Sequence, residues 1–534
     1  MSNQQCEPGG RIPKLIHQTW KSADLPADAS DTWRRLGAGW EWRLWTDADL
    51  LTLVRDHYPH LEPLYLSYPN NVQRADLGRY MVLDRYGGIY ADLDTECLTP
   101  PDALTQERRV VLSEEPIEHV HHVLAYGLDR LYFNGVMAGP ARHPFWAHLI
   151  GLVQRCAHSL HDVLESTGPA VLTGAVQSYP DPQGLALHSC HLFTPLTSKG
   201  IETVGSEHGP LAPLRISNHL WRGSWIPPRA QRPVSRAVKT AWRKAAYSLS
   251  RGAYLSRTAA AESIDRARLH RPVTSGDQVS VLIPVRDAEP FLDRCMELLL
   301  ALDHPAERLS VTFCEGDSRD GTVSRLADLR ERYAGRFHDF RVISFPGGPT
   351  LEREKRWLPR LQRARRSHLA RVRNHLIDQG VKPGDDWVLW LDADVCDYPP
   401  DILRRLLAER RKVVTPDCRL SWNGPSYDLN SFTDPTERRD SRYLKHVQGG
   451  LYMPPANHDR RRHLNHLRFL DRVPLTSVGG TMLLVAAEVH RAGIQFPDQP
   501  YDDLLETEGF GRLCHHFGVT PYGLPNLAIL HTAS

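Results

Sequence analysis

Two apolar runs of strand length end in the same polar pair. Trp387-Val388-Leu389-Trp390-Leu391 leads into Asp392-Ala393-Asp394, and Ile89-Tyr90-Ala91 leads into Asp92-Leu93-Asp94. Short continuous apolar runs predict buried strands, so each carboxylate pair sits at a strand end. In an extended segment residues i and i+2 share a face, which predicts that the two aspartates of each pair converge.

The rest of the pattern arranges itself around these runs. Residues 12–20 and 42–45 predict strands, and 47–57 a helix through Leu50, Leu51 and Val54, with Thr46 or Asp47 as N-cap. A second helix over 70–86 packs through Ala75, Leu77, Tyr80, Met81 and Leu83, and Gly87-Gly88 ends it. Asp76 and Arg79 lie three apart on it, either as an intrahelical ion pair or facing the cleft of the first aspartates. A strand and turn over 132–140, a helix over 144–164 and a turn at 167–169 follow. The module closes on 218–225, which holds His219.

An apolar strand over 279–286 starts a second series. A helix (289–302), a strand (309–313) and an acidic loop (315–322) follow it. This is the rhythm of an open α/β sheet that binds ligands at the carboxyl ends of its strands. A basic stretch over 353–373 precedes the second aspartate pair; of its arginines, Arg371 and Arg373 are expected near a diphosphate. Beyond the pair come a helix (402–407), a strand at 413–416, and the segments 478–485, 506–510 and 523–531. Between the series the composition shifts. Pro227-Pro228 opens a stretch in which Arg and Lys recur, read as a basic linker over 231–276 joining domains at 11–230 and 277–534. Its charge reads as a solvated face, with contact to anionic lipid headgroups as the sharper alternative.

Composition narrows the class. A chain of 534 residues is too long for one ordinary domain. With 41% apolar and 24% charged residues and a net charge of +2, it is globular and not a dedicated nucleic-acid binder. The nine cysteines form no C-x-x-C pair, which reads as reduced thiols. The first residues lack the apolar core of a signal peptide, and no stretch reaches the length of a membrane span. The expected location is cytoplasmic, with any membrane contact peripheral.

Two aspartates at a strand lip suit Mg2+ or Mn2+, whose open positions a diphosphate fills, and a late histidine suits Mn2+ better. Such a cation offsets charge developing on a departing nucleoside diphosphate. The rival chemistry is an aspartyl-phosphate phosphatase, whose D-x-D-x-[TV] pattern Asp92–Thr95 and Asp392–Val395 partly fit. There the motif ends the first strand of the domain; here it lies well inside each module.

Two resemblances sharpen this. Residues 11–230 resemble the DXD-motif sugar transferases that include the fungal initiating α-1,6-mannosyltransferase and capsular polysaccharide transferases, through IPKLIHQTW, RADLGRYMVLDRYGGIYADLD, NGVMAGPARHPF and HLWRGSW. Residues 279–534 resemble the fungal mannan-polymerase mannosyltransferases, through IPVRDAEPFL, EGDSRDGT, LARVRNHL, VLWLDADV, VGGTMLLV, ETEGF and GLPNLAILH. The resemblances imply an α/β chain of two GT-A-type (Rossmann-like) nucleotide-sugar transferase domains in tandem, with Mn2+ or Mg2+, GDP-mannose and retention of configuration. Carried over by position, Asp92, Asp94 and His219 hold one metal. Asp76 and Arg79 meet the donor sugar, Trp20 the base, and Ser224 and Trp225 the diphosphate. In the second domain Asp392, Asp394 and His531 hold the metal, Asp317 lies near the nucleotide, and Glu506 or Glu508 near a glycan or polysaccharide acceptor. The expected enzyme is bifunctional; the alternative is an active C-terminal domain with a non-catalytic glycan-binding N-terminal one.

Overall fold

The computed structural model describes residues 10–27, 29–37, 39–157, 162–196, 202, 214–221, 264–269, 278–348, 358–436, 439–456, 458 and 460–532. Two compact units emerge: residues 1–230 with 465–471, and 231–464 with 472–534. Of the basic stretch only 264–269 are described. They form a short helix, Arg266–Leu269, with Ile264 and Leu269 buried in the core of the second unit.

In the first unit, β1 (Leu15–Thr19), β2 (Glu41–Trp45), α1 (Asp47–His57), α2 (Asn71–Tyr86), β3 (Gly88–Ala91) and β4 (Thr95–Cys97) follow in order. Then come β5 (Val110–Ser113), β6 (Val136–Gly139), α3 (Pro144–Arg155), α4 (Pro169–Ser178), β7 (Leu185–His188) and β8 (Ser217–His219). Six strands form one mixed sheet in the order β2-β1-β3-β6-β5-β7. Thr46 is the N-cap of α1, closing a capping box with Asp49. α3 stops at Arg155, short of the 164 that its apolar spacing predicts; Cys156 is its C-cap, its N–H shared between the Leu152 and Val153 carbonyls. Ile16, Ile89, Ala91, Val111, Val136 and Ala138 fill the core behind the sheet.

The second unit opens with β9 (Val279–Val285), α5 (Glu289–Leu300), β10 (Leu309–Glu315), α6 (Thr322–Tyr333), β11 (Asp339–Ser344) and α7 (Pro359–Gly380). It continues with β12 (Trp387–Leu391), β13 (Val395–Asp397), β14 (Val413–Arg419), β15 (Val473–Pro474), β16 (Met482–Ala486), α8 (Glu506–His516) and β17 (Tyr522–His531). The sheet order is β11-β10-β9-β12-β16-β14-β17-β13, with β15 beside β17. β9 to β12 run parallel, as strand–helix–strand crossovers require, and β16 enters antiparallel between β12 and β14. β12 is buried on both faces, which explains its uninterrupted apolar sequence. Among the described residues no helix is long and apolar enough to cross a membrane.

Candidate active sites

Neither aspartate pair is extended. β3 ends at Ala91 and β12 at Leu391, and each pair turns back on itself: the Thr95 N–H donates to the Asp92 carbonyl (3.0 Å) and the Val395 N–H to the Asp392 carbonyl (3.2 Å). The carboxylates converge through this turn, not through the alternation that the sequence pattern predicts.

In the first unit the turn feeds β4, which pairs with β8 so that Thr95 faces His219. The Leu220 N–H donates to the Asp94 carbonyl (2.8 Å), and His219 Nε2 lies 3.1 Å from Asp94 Oδ1. Asp92 faces inward. Tyr90 donates its hydroxyl to Oδ1 (2.7 Å), and the Arg79 guanidinium reaches both carboxylate oxygens at 3.3 Å. Arg79 also pairs with Asp76 (3.0 Å), which accepts from Asn134 Nδ2 (3.1 Å) and Thr167 Oγ1 (2.9 Å). Burial raises Asp76 to about 6 against the pull of Arg79. Burial also raises Asp92, with the Asp94 charge adding to it.

The second unit repeats the arrangement. β13 pairs with β17 so that Val395 faces His531. The Thr532 N–H donates to the Asp394 carbonyl (3.2 Å), and His531 Nε2 lies 3.1 Å from Asp394 Oδ1. Arg373 pairs with Asp392 (3.3 Å) and, through Nε, with Glu506 (3.1 Å). Its guanidinium lies 5.3 Å from the centre of the Trp390 ring, as that of Arg79 lies 4.6 Å from Tyr90; each ring stands two residues before the first aspartate. Burial raises Asp392, and the Asp394 charge reinforces the shift. Burial disfavours charge on His531, but its hydrogen bond to Asp394 and that carboxylate's charge outweigh burial and raise it.

Asp92, Asp94 and His219 fit a divalent cation: their ligand atoms all lie within 4.8 Å of one another, two hard oxygens with one imidazole. In the second unit Asp394 and His531 make the same pair contact, but Asp392 is held on Arg373 and the ligand atoms of the expected triad do not gather within that distance. A cavity of about 1080 Å³ adjoins this second centre, and its lining holds Asp392, Asp394, Asp428, Glu506 and His531 together with Arg286, Arg319, Arg365, Arg366 and Arg373.

Several expected site residues stand elsewhere. Arg371 is exposed and outside the cavity lining: it stands two positions from Arg373, so the helix turns it away. Glu508 is buried behind the lining, tied to Arg366 and Arg461 (2.8 Å each). Asp317, at φ +58°, is exposed and accepts from the Gly347 N–H (2.6 Å); its neighbour Gly316 lines the cavity instead. Trp20 follows β1, its N–H on the Trp45 carbonyl (3.0 Å) and Lys21 over its ring. Ser224 and Trp225 lie outside the described residues. Asn134, Thr167, Thr481 and Asp428 escaped the sequence pattern; only the Asn134-Gly135 step before an apolar strand marked one of them.

Residues 24–111 match the family model described as "Glycosyltransferase sugar-binding region containing DXD motif", and residues 265–500 match the Anp1 family model. The chain joins a DXD-motif segment to an Anp1 segment. The DXD segment holds Asp76, Arg79, Asp92 and Asp94, and His219 lies beyond its match. The Anp1 segment holds Arg373, Asp392, Asp394 and Asp428, and Glu506 and His531 lie beyond. The chain is 28% identical over 280 residues to "Mannan polymerase complex subunit mnn9" of Schizosaccharomyces pombe, 49% of this chain and 81% of that protein. It is 33% identical over 186 residues to "Inositol phosphoceramide mannosyltransferase 1" of the same organism, 32% of this chain and 54% of that one. Against that mannosyltransferase, and against the Anp1 subunit of Saccharomyces cerevisiae at 55%, it thus spans about half the relative's length. A mannosyltransferase structure from Pyrobaculum calidifontis, with GDP-Man and Mn2+, aligns over 55% of this chain and 68% of that one, at 12% identity and a TM-score of 0.28.

Proposed function

We propose that the protein is a bifunctional, metal-dependent, retaining mannosyltransferase, with one GT-A-type centre in each unit, moving mannose from GDP-mannose to a glycan or polysaccharide acceptor. The observation that carries this is the recurrence of one constellation: an arginine on the first aspartate of a D-x-D turn, an aromatic ring two residues before it, and a histidine on the second aspartate. The matched DXD and Anp1 segments and the mannosyltransferase names of the relatives support it.

Asp92, Asp94 and His219 would hold one cation, and Asp392, Asp394 and His531 the other. A bound Mn2+ or Mg2+ supplies positive charge for the departing diphosphate. The chain's own residues do the remaining positioning. Arg79 and Arg373 fix the first aspartate of each turn in a single rotamer, and the turn and its paired strand present the second. Arg286, Arg319 and Arg365, in the lining of the C-terminal cavity, are donors suited to a diphosphate.

The test is GDP release from GDP-mannose with Mn2+. Asp392→Asn/Asp394→Asn and Asp92→Asn/Asp94→Asn should each remove part of the release, and the fourfold variant at least about 100-fold of it. Unchanged release in every variant overturns the metal-site reading. Full activity after loss of Asp92 and Asp94 makes the first unit a glycan-binding module, and phosphate release from simple esters without a sugar nucleotide favours a phosphatase.

A further inference from the structure

We propose that Asp428 is a sugar-binding carboxylate of the C-terminal centre, accepting hydrogen bonds from hydroxyls of the donor hexose or of an acceptor saccharide. The inference rests on the transferase reading above and deepens it. Asp428 follows β14 and lines the cavity together with Asp392, Glu506 and His531.

Three features set it apart from the other acidic residues around it. The first is its mounting. Thr481 donates its hydroxyl to Asp428 Oδ2 (3.0 Å), while the Thr481 carbonyl accepts the Asp392 N–H (2.9 Å). One residue therefore fixes Asp428 against the D-x-D turn, and the Asn430 N–H holds Oδ1 (3.0 Å). The second is space. A Cβ added at Gly479 would run into the Asp428 carboxylate, so the chain keeps a glycine where the side chain must enter. The third is electrostatic. Glu506 faces Arg366 and Arg373, Glu508 faces Arg366 and Arg461, and Asp417 faces Arg419. Among the described residues no arginine or lysine is paired with Asp428; both its fixed partners are neutral donors.

A carboxylate offers about four lone-pair positions, and these two bonds use half of them. Keeping an unpaired anion in a cavity costs stability unless a ligand uses it. The charge of Asp428 disfavours an anionic diphosphate beside it, which the arginines of the lining suit better. Sugar hydroxyls are neutral donors that a carboxylate binds well. The cavity lining thus offers arginines to phosphates and the Asp428 carboxylate to a polyol.

The experiment uses the full chain carrying Asp92→Asn/Asp94→Asn, so that only the second centre is read. With and without Asp428→Asn, it is titrated with Mn2+, GDP, GDP-mannose and methyl α-mannoside. Mn2+ and GDP should bind equally in both proteins. Affinity for GDP-mannose should fall about tenfold if Asp428 holds the donor hexose, and affinity for methyl α-mannoside alone if it holds the acceptor. Gly479→Ala, which displaces the carboxylate without removing it, should reproduce the loss, and equal melting temperatures show the fold intact. Equal affinities throughout overturn the proposal. Weakened Mn2+ binding overturns it too, making Asp428 a metal ligand. If the parent protein binds Mn2+ but no GDP-mannose, the transferase reading fails and takes this proposal with it; equal binding of GDP-mannose by parent and variant sinks only the proposal.

Discussion

Arg373 is buried and serves two carboxylates, Asp392 and Glu506, so removing it leaves Asp392 without its cation and Glu506 with Arg366 alone. Breaking a buried ion pair from one side costs about 3–5 kcal/mol, mostly as an uncompensated charge. Arg373→Met should therefore lower the stability of the second unit by about that much in denaturant titrations, and saturating Mn2+ should restore part of it. Arg79 has the same place in the first unit, and there the sequence was legible: Asp76 and Arg79 stand three apart on a strongly periodic helix. Arg373 was expected near a diphosphate; in the structure it pairs with Asp392 and Glu506, and nothing local in the sequence links it to Glu506. Asp428 was illegible for the same reason, since its meaning depends on Thr481, 53 positions away.

At the scale of elements, the helix–Gly-Gly–strand block of the first unit was the clearest text in the chain. α2 ends where Gly87 adopts φ +64°, and its N–H caps the Leu83 carbonyl (2.9 Å). A side chain there would be strained in φ and would press on the backbone of Ala141. Gly87→Ala should cost more than about 1 kcal/mol, read as a lower melting temperature, and should weaken Mn2+ binding by shifting β3. What the strand pattern could not show was the turn. An apolar run predicts a buried strand but not the residue at which it stops, and that stopping point decides how the aspartates meet. The pairing of β4 with β8 and of β13 with β17 was equally hidden, since β4, β8 and β13, of three residues each, carry too little periodicity to be seen.

At the scale of the whole molecule, three buried histidines among the described residues oppose acid. His17, His463 and His490 are each lowered to about 4, chiefly by burial. His17 is held between the Trp45 indole, which donates to Nδ1 (3.1 Å), and the Gly87 carbonyl (2.8 Å), an arrangement made for the neutral ring. The unfolded chain takes a proton near pH 6.5 and the folded one only near 4. The stability each histidine contributes is therefore complete above 6.5 and falls away towards 4, by up to about 3 kcal/mol. Asp76 acts in the opposite sense: raised to about 6, it takes its proton first in the folded state and adds stability as pH falls from there to the usual aspartate range. Unfolding of wild type and His17→Gln at pH 7.5 and 5 separates the two, and the variant should show the shallower decline. The two arginine clamps differ in one more respect. Arg79 finds its second carboxylate three residues away within α2, whereas Glu506 lies 133 residues from Arg373 and reaches it from a backbone at φ +55°. Closing so long a loop costs about 3 kcal/mol more chain entropy than closing so short a one. The first clamp can take shape as soon as one helix meets one strand, with His219 closing on it later from 125 residues away; the second clamp waits until nearly the whole second half of the chain has folded around it.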